Sequence, residues 1–115
     1  MRAGSMDRRI RIETAIKTRS ASGQADRTWM LLDEVWSKVT YNDGREGFGS
    51  NQFQATAELK FEIYYPSEID PFPTPSEDIR IVYEGREYDL LQVVEIGRRE
   101  GLDIFASARA DKATA

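Results

Sequence analysis

Apolar and polar residues alternate along most of the chain, the pattern of β-strands with one buried face. In the first such stretch Ile10, Ile12 and Ile16 fall on one face, with charged residues between them. From Leu59 to Tyr65 an apolar or aromatic side chain occupies every odd position. Turn-forming residues divide the pattern into six main strands, predicted at 8–18, 35–41, 59–65, 79–83, 86–96 and 102–108.

Glycine, proline and acidic residues mark where these strands end. Asp43-Gly44 stops the second strand, and Glu84-Gly85 predicts a tight hairpin between the fourth and fifth. All four prolines lie between Pro66 and Pro75, which predicts a stiff, extended link. Residues 28–32 fit either a short strand or a bridging turn.

The segment 45–57, between strands 2 and 3, fits two descriptions. Phe48, Gln52 and Ala55 share one face at helical spacing. Gly47 and Gly49 oppose a stable helix, at about 1 kcal/mol each relative to alanine. We therefore expect either one short helix or a mobile loop here.

Six short strands and no long helix predict an all-β fold, either a barrel or a sandwich. Closure removes the long unpaired edges that a single small sheet would leave, which favours a six-stranded antiparallel β-barrel. The length of 115 residues fits one domain. We expect this domain to cover 1–110, with a disordered tail at 111–115.

The composition of the chain limits the kinds of functional site that we expect. The chain has no cysteine and no histidine, so thiolate chemistry, disulfides and ordinary zinc sites are not expected, and neither is a cofactor. It carries no apolar run long enough to span a membrane and no apolar stretch typical of a signal peptide. The net charge of −4 argues against a protein that grips nucleic acid by its phosphates.

Candidate catalytic groups are few, and we expect no enzyme. No nucleophile elbow or phosphate-binding loop is present. Glu58 and Glu62 share a predicted strand face with Lys60, which indicates solvated charge rather than an acid–base pair.

Contact surfaces are the stronger candidates. Arginines cluster at the entrance to the first strand and in the last reversal, where they fit either partner contacts or ordinary surface charge. Trp36 lies inside a patterned strand and is expected in the core, whereas Trp29 borders a loop and fits core or interface equally. The candidate contact residues are Arg8, Arg9, Arg11, Trp29, Arg98 and Arg99.

The polar segment 42–56 is unusual because it carries two phenylalanines, Phe48 and Phe53. A segment that orders against neighbouring subunits would account for them, as would a partly packed helix with both rings in the core. The candidate assembly residues are Asp43, Gly44, Arg45, Glu46, Phe48, Asn51, Gln52, Phe53 and Gln54.

The order of motifs along residues 1–109 resembles that of phage head-closure proteins, also called head–tail joining or stopper proteins. The opening Asp7-Arg8-Arg9-Ile10-Arg11-Ile12 is similar to the start of that family. A Gly-to-Trp turn (Gly23 to Trp29) and Val35-Trp36-Ser37-Lys38-Val39 follow. Gly44-Arg45-Glu46 and the hairpin Ile81 to Leu90 complete the pattern. Gly47, Gly49 and the long proline-rich link depart from it.

The resemblance implies a structural virion subunit that forms a ring, dodecameric in the particle, at the head–tail connector. Such a ring continues the DNA channel below the portal and adaptor proteins, receives a tail terminator or tail tube protein, and helps retain packaged DNA. It implies that residues 42–56 face the channel and the double-stranded DNA, without sequence specificity. Assembly would occur in the bacterial cytoplasm, from subunits that are monomeric in dilute solution.

Three other classes remain open from the sequence. A nucleic-acid-binding barrel would show an affinity for DNA that falls steeply with salt. A ligand-binding barrel or enzyme would need a cleft lined by carboxylates of shifted pKa. The third class is another head–tail completion or tail protein of the same machinery. An adaptor among these would be mostly helical, so a mostly β circular dichroism spectrum would disfavour an adaptor.

Overall fold

Six antiparallel strands close into a barrel in the computed structural model of the chain, in the order β1-β2-β3-β6-β5-β4. The structure describes residues 6–19, 23, 25–42, 48–49, 51–69 and 71–109, so the tail expected at 111–115 lies outside it. The elements are β1 (Arg8–Arg19), β2 (Ala25–Tyr41), α1 (Gln52–Thr56), β3 (Leu59–Tyr64), β4 (Ile79–Tyr83), β5 (Arg86–Ile96) and β6 (Gly101–Ala108). The predicted six-stranded barrel, with a short helix between strands 2 and 3, is confirmed.

The barrel interior is filled by aliphatic side chains around one phenylalanine. Phe61 is fully buried, and the rings of Tyr83 and Tyr88 meet it edge-on at centroid distances of 5.6 and 5.7 Å. Edge-to-face contacts of this kind add about 1 kcal/mol each beyond the area they bury. The isoleucines that complete this core are at most 1% exposed: Ile10, Ile12, Ile63, Ile79, Ile81 and Ile104.

The hairpin between β4 and β5 turns at Glu84 and Gly85, where the sequence predicts it. Both residues have positive φ, at 51° and 78°. Positive φ at both central positions is the requirement of a type I′ turn, whose twist matches that of the flanking strands. The turn therefore sets the register in which Tyr83 pairs with Arg86.

Strand β2 is longer than expected. Residues 28–32, expected as a separate short strand or turn, belong to one strand that runs from Ala25 to Tyr41. The register with β1 shifts where Ile12 pairs with Asp33 and Glu13 pairs with Leu31, which leaves Leu32 as a bulge. Because of this bulge, the polar residues Asp33 and Glu34 interrupt the alternation of apolar and polar residues without ending the strand.

The hairpin of β1 and β2 extends beyond the closed barrel. Strand β4 pairs with β1 only as far as Thr14, and β3 pairs with β2 only from Lys38 onward. We call residues 15–19 of β1 and 25–31 of β2 the arm. Ile16 was expected on the buried face, but it lies in the arm and is 40% exposed because no opposing wall covers it.

The proline-rich link between β3 and β4 packs on the barrel through two apolar residues. Ile69 is 7% exposed within the core cluster, and Phe72 packs against the same cluster. The link is therefore a loop anchored to the core, in keeping with its predicted exclusion from the sheet.

No helix among the described residues is long and apolar enough to cross a membrane.

Candidate assembly surfaces

The first two arginines of β1 lie on the outside of the barrel with carboxylate partners. The guanidinium of Arg8 is 3.7 Å from the carboxylate of Glu84, and that of Arg9 is 3.5 Å from Glu34. Arg9 also lies over the Trp36 ring, 4.9 Å from its centroid. All four charged side chains are roughly half exposed, so these pairs contribute at most about 1 kcal/mol each and remain accessible to a partner.

Arg11 belongs to a different and more buried group. It is 3.3 Å from the Glu13 carboxylate, which also receives the guanidinium of Arg80 at 2.8 Å. Arg80 reaches Glu87 at 3.0 Å as well. The side chains of Glu13 and Arg80 are only 10% and 15% exposed, so each depends on the other for compensation of its charge.

Trp29 covers this ionic group at the base of the arm. The guanidinium carbon of Arg80 is 4.0 Å from the centroid of its ring, and that of Arg109 is 5.0 Å away. Arg109 is in turn 3.1 Å from the carboxylate of Asp89. Trp29 is half-buried and joins the arm to the outer face of the barrel, which limits the surface it offers as a contact residue.

The remaining arginines of the predicted contact set, Arg98 and Arg99, lie in the turn between β5 and β6. Both are exposed. Arg99 has a positive φ of 58°, donates its backbone N–H to Glu95, and lies 5.5 Å from the centroid of the Tyr65 ring. The structure therefore distributes the predicted arginines over separate surfaces and does not gather them into one basic site.

Helix α1 is attached to the outer face of β5 by side-chain hydrogen bonds. Asn51 caps the helix by accepting the N–H of Gln54 at 2.8 Å. The side-chain amides of Asn51 and Gln54 both donate to Oε1 of Gln92, at 3.3 and 3.1 Å. A single glutamine on the barrel thus holds the N-terminal half of this short helix.

The two phenylalanines of the segment have different environments. Phe48 packs against Phe105 of β6 with ring centroids 5.8 Å apart, and Phe105 is only 4% exposed although it points outward. Phe53 is 52% exposed, and its neighbour Gln52 is exposed too. One ring anchors the segment and the other faces solvent. The predicted assembly residues Asp43, Gly44, Arg45 and Glu46 lie outside the described residues.

Trp36, expected in the core, is 51% exposed on the outer face of β2. Val35, Ser37 and Val39 take the inward positions, so alternation places the tryptophan outside. Together with Tyr64, which is 45% exposed, it lines an open apolar groove. This groove adds a large aromatic surface to those predicted from the sequence.

Two neighbouring carboxylates raise the charge density on the outer face of β3 and β6. Glu62 and Asp103 are cross-strand partners. Burial and the nearby Glu62 raise the pKa of Asp103, while Lys60 lowers it. At Tyr83 in β4, burial and a hydrogen bond shared with the hydroxyl of Tyr41 raise the pKa well above the ordinary value.

Several residues that organise these surfaces carry no distinctive sequence signal. Arg80 and Arg109 are ordinary polar positions of strand sequences, and only the register brings them to Trp29. Gln92 is a polar residue in the apolar run Leu90 to Val94, a position where an uncharged hydrogen-bonding side chain indicates a partner.

Comparisons with known proteins agree with this architecture. The sequence matches the profile of the phage head completion protein family over residues 1–109. The fold is similar to the solution structure of protein SF1141 from Shigella flexneri 2a, with a TM-score of 0.71, 24% identity, and 97% of this chain and 100% of that chain covered. It is also similar to a chain in the virion of a native gene transfer agent particle, with a TM-score of 0.57, 22% identity, and 90% and 94% covered. No curated protein shows significant similarity to the chain.

Proposed function

This chain belongs to the phage head completion protein family, and from that premise we propose that it forms a ring at the head–tail interface of a phage or phage-like particle. The ring continues the DNA channel below the portal and adaptor, docks the tail terminator or tail tube protein, and helps retain packaged DNA. The observation that carries this proposal is the family match over residues 1–109, nearly the whole chain. The similarity to a chain of a gene transfer agent virion supports it.

The outer surface is suited to assembly. Contiguous exposed apolar patches on a soluble protein mark surfaces that bind partners. The outer aromatic and aliphatic side chains here are between 40% and 62% exposed: Ile16, Met30, Leu31, Trp36, Tyr41, Phe53 and Tyr64. Two groups of them form patches: Trp36 and Tyr64 line one groove, and Ile16 and Met30 share one face of the arm.

We assign the segment around α1 to the channel side of the ring. It offers exposed Gln52 and Phe53 from a helix held on the barrel by Gln92. The net charge of −4 repels phosphates and keeps the passing DNA from binding tightly. We assign the exposed arginines Arg8, Arg9, Arg98 and Arg99 to contacts with acidic surfaces on neighbouring subunits.

The proposed work is done by contact surfaces, and no residue acts as a reacting group. The buried polar cluster of Glu13 and Arg80 is satisfied within itself. The fully buried interior leaves the barrel packed, so the channel is formed by the ring and not by the barrel lumen.

Deletion of the gene in the bacterium that produces the particles tests the proposal. We expect DNA-filled heads and free tails to accumulate unjoined, with DNA lost from the heads, because the connector is incomplete. Supply of the wild-type chain in trans should restore joined particles, and electron microscopy of the neck should show a ring containing the chain. Normal tailed particles from the deletion strain would refute the proposal.

A further inference from the structure

The two strands of the arm have backbone edges with no partner among the described residues. Ala15 donates its N–H to the carbonyl of Asp78 at 2.7 Å, on the side of β1 away from β2. Because backbone groups alternate in direction along a strand, the N–H and C=O of Lys17 point to that same side. Strand β4 does not extend to meet them.

The opposite edge belongs to β2. Thr14, Ile16 and Thr18 pair with Met30, Thr28 and Asp26. The backbone groups of the residues between them on β2, Arg27 and Trp29, therefore point away from β1. Strand β3 pairs only with the distant end of β2, so no described strand covers this edge.

The open part of the β2 edge has a defined limit. The N–H of Glu34 donates to the side-chain carboxylate of Asp33 at 2.8 Å. A local acceptor of this kind blocks pairing with another strand. At residues 28–31, whose side chains the structure describes, no such local acceptor is present. An isolated two-stranded ribbon is only marginally stable without a further strand.

From these edges we infer that the arm of one copy pairs through its β2 edge with the β1 edge of the arm in the next copy. The inference rests on the proposed ring and names its subunit contact. The two edges belong to antiparallel strands, so a neighbouring arm placed alongside continues an antiparallel sheet. This contact is heterologous, joining two different surfaces, and repetition of it by rotation closes a ring.

The charges of the two strands separate the possible pairings between two arms. Residues 15–19 of β1 carry Lys17 and Arg19 and no acidic residue, so two β1 edges would bring like charges together, which destabilises pairing. Residues 25–31 of β2, the open part of that edge, carry Asp26 and Arg27 and no net charge. The β1 edge of one arm therefore suits the β2 edge of another arm better than a second β1 edge.

The apolar side chains of the arm also gain from the contact. Ile16 and Met30 lie on the same face of the arm and are 40% and 46% exposed. In a sheet formed by successive arms, each would gain cross-strand neighbours on the adjoining copy. Their exposure in the single chain is what an arm awaiting further strands would show.

Two proline substitutions at directly paired positions test the inference. Lys17→Pro removes the outward N–H of β1, and Arg27→Pro removes the outward N–H of β2. The hydrogen bonds within the hairpin are retained, because the neighbouring residues make them. Lys17→Ala and Arg27→Ala are the matched controls, since they change the side chains and keep both edges.

The full-length chain is labelled with ¹⁵N and followed by NMR as it is diluted from millimolar to micromolar concentration. We expect the amide signals of Lys17, Arg27 and Trp29 to shift with concentration in the wild type and in both alanine controls. Lys17→Pro should abolish the shifts of Arg27 and Trp29, although those residues lie on the other strand. Unchanged amide signals of Ile63 and Ile104 verify that the barrel of each variant is folded.

Mixing the two proline variants gives the decisive result. Each retains the edge that the other has lost, so a mixture should recover the concentration-dependent shifts and sediment as a dimer that grows no further. Shifts that persist in both proline variants, or a mixture that fails to recover them, would overturn the inference. Loss in Arg27→Pro alone would indicate symmetric pairing of β2 edges and would overturn it too.

Other outcomes separate this inference from the ring itself. Concentration-dependent shifts confined to the groove of Trp36 and Tyr64, or to α1, would overturn arm pairing and leave ring assembly intact. Absence of any shift at millimolar concentration would also overturn arm pairing. The gene-deletion experiment then decides the proposed function independently.

Discussion

Strands β1 and β2 pass through two regions, the closed barrel and the arm, and similar side chains have different environments in each. Ile10 and Ile12 are fully buried where β4 and the rest of the barrel enclose them. Ile16 and Met30, farther along the same hairpin, are 40% and 46% exposed. Alternation places a side chain on a face, but burial requires an opposing wall, and within one chain the arm has none.

The largest expected effect tests the barrel side of this comparison. Phe61→Ala should lower the free energy of unfolding by about 4 kcal/mol, because the site is enclosed and cannot collapse around the cavity. Chemical denaturation followed by circular dichroism measures this loss. Phe53→Ala is the matched control, since Phe53 is 52% exposed and its removal should change stability by less than about 0.5 kcal/mol. Equal losses in the two variants would contradict the described core.

The junction between the two regions is the next point to test. Glu13→Gln removes the charge that faces Arg80 at 2.8 Å and leaves that guanidinium, 15% exposed, with Glu87 alone. We expect a loss of about 2–3 kcal/mol, measured by denaturation. Glu34→Gln breaks the exposed pair with Arg9 and should cost no more than about 0.5 kcal/mol. A similar loss of stability in both variants would show that burial of the Glu13–Arg80 pair does not increase the cost of removing its carboxylate.

The same comparison explains which features the sequence could predict. Strands, turns and closure follow from local alternation and from turn chemistry such as Glu84-Gly85, so these predictions are confirmed. The continuity of β2 depends on the bulge at Leu32, which forms only because β1 pairs on both sides of it. Ile16 was misassigned because its burial depends on strands that are distant in sequence. Trp36 was misassigned because the alternation puts it on the face opposite Val35 and Val39, and the sequence alone does not tell which face of β2 is buried.

The sequence predicted the candidate surfaces only in part, because contacts between residues distant in sequence decide which side chains are exposed. The sequence identified the segment carrying Phe48 and Phe53 as unusual, but could not tell that Phe48 would meet Phe105 while Phe53 stays exposed. The arginines were visible as charges, and their division among separate partners depends on strand register. Whether these residues contact other subunits remains a prediction.

A smaller effect is expected at α1, a second element attached to the outside of the barrel. Gln92→Ala removes the acceptor shared by Asn51 and Gln54 and should weaken the docking of the helix by about 1 kcal/mol. Amide hydrogen exchange should accelerate at Ala55 and Ala57 by about fivefold or more, while exchange in β3 stays unchanged. Unchanged exchange at both alanines would show that packing of Phe48 on Phe105 holds the segment alone.

The smallest effect concerns a charge on the barrel wall. Burial raises the pKa of Asp103 in the folded chain, with a further contribution from Glu62. A raised folded-state pKa means that the folded state takes up a proton more readily than the unfolded state. The related stability is therefore fully present below the unfolded pKa and is lost as the pH rises through the folded value.

Asp103→Asn should remove this dependence, because asparagine does not ionise. We expect the variant to be more stable than the wild type at neutral pH, by no more than about 0.5 kcal/mol since the side chain is partly exposed. The advantage should disappear in acid, where the wild-type carboxyl is protonated in both states. Denaturation at neutral and acidic pH measures the difference. An advantage that persists unchanged in acid would assign the effect to hydrogen bonding of the amide instead of to charge.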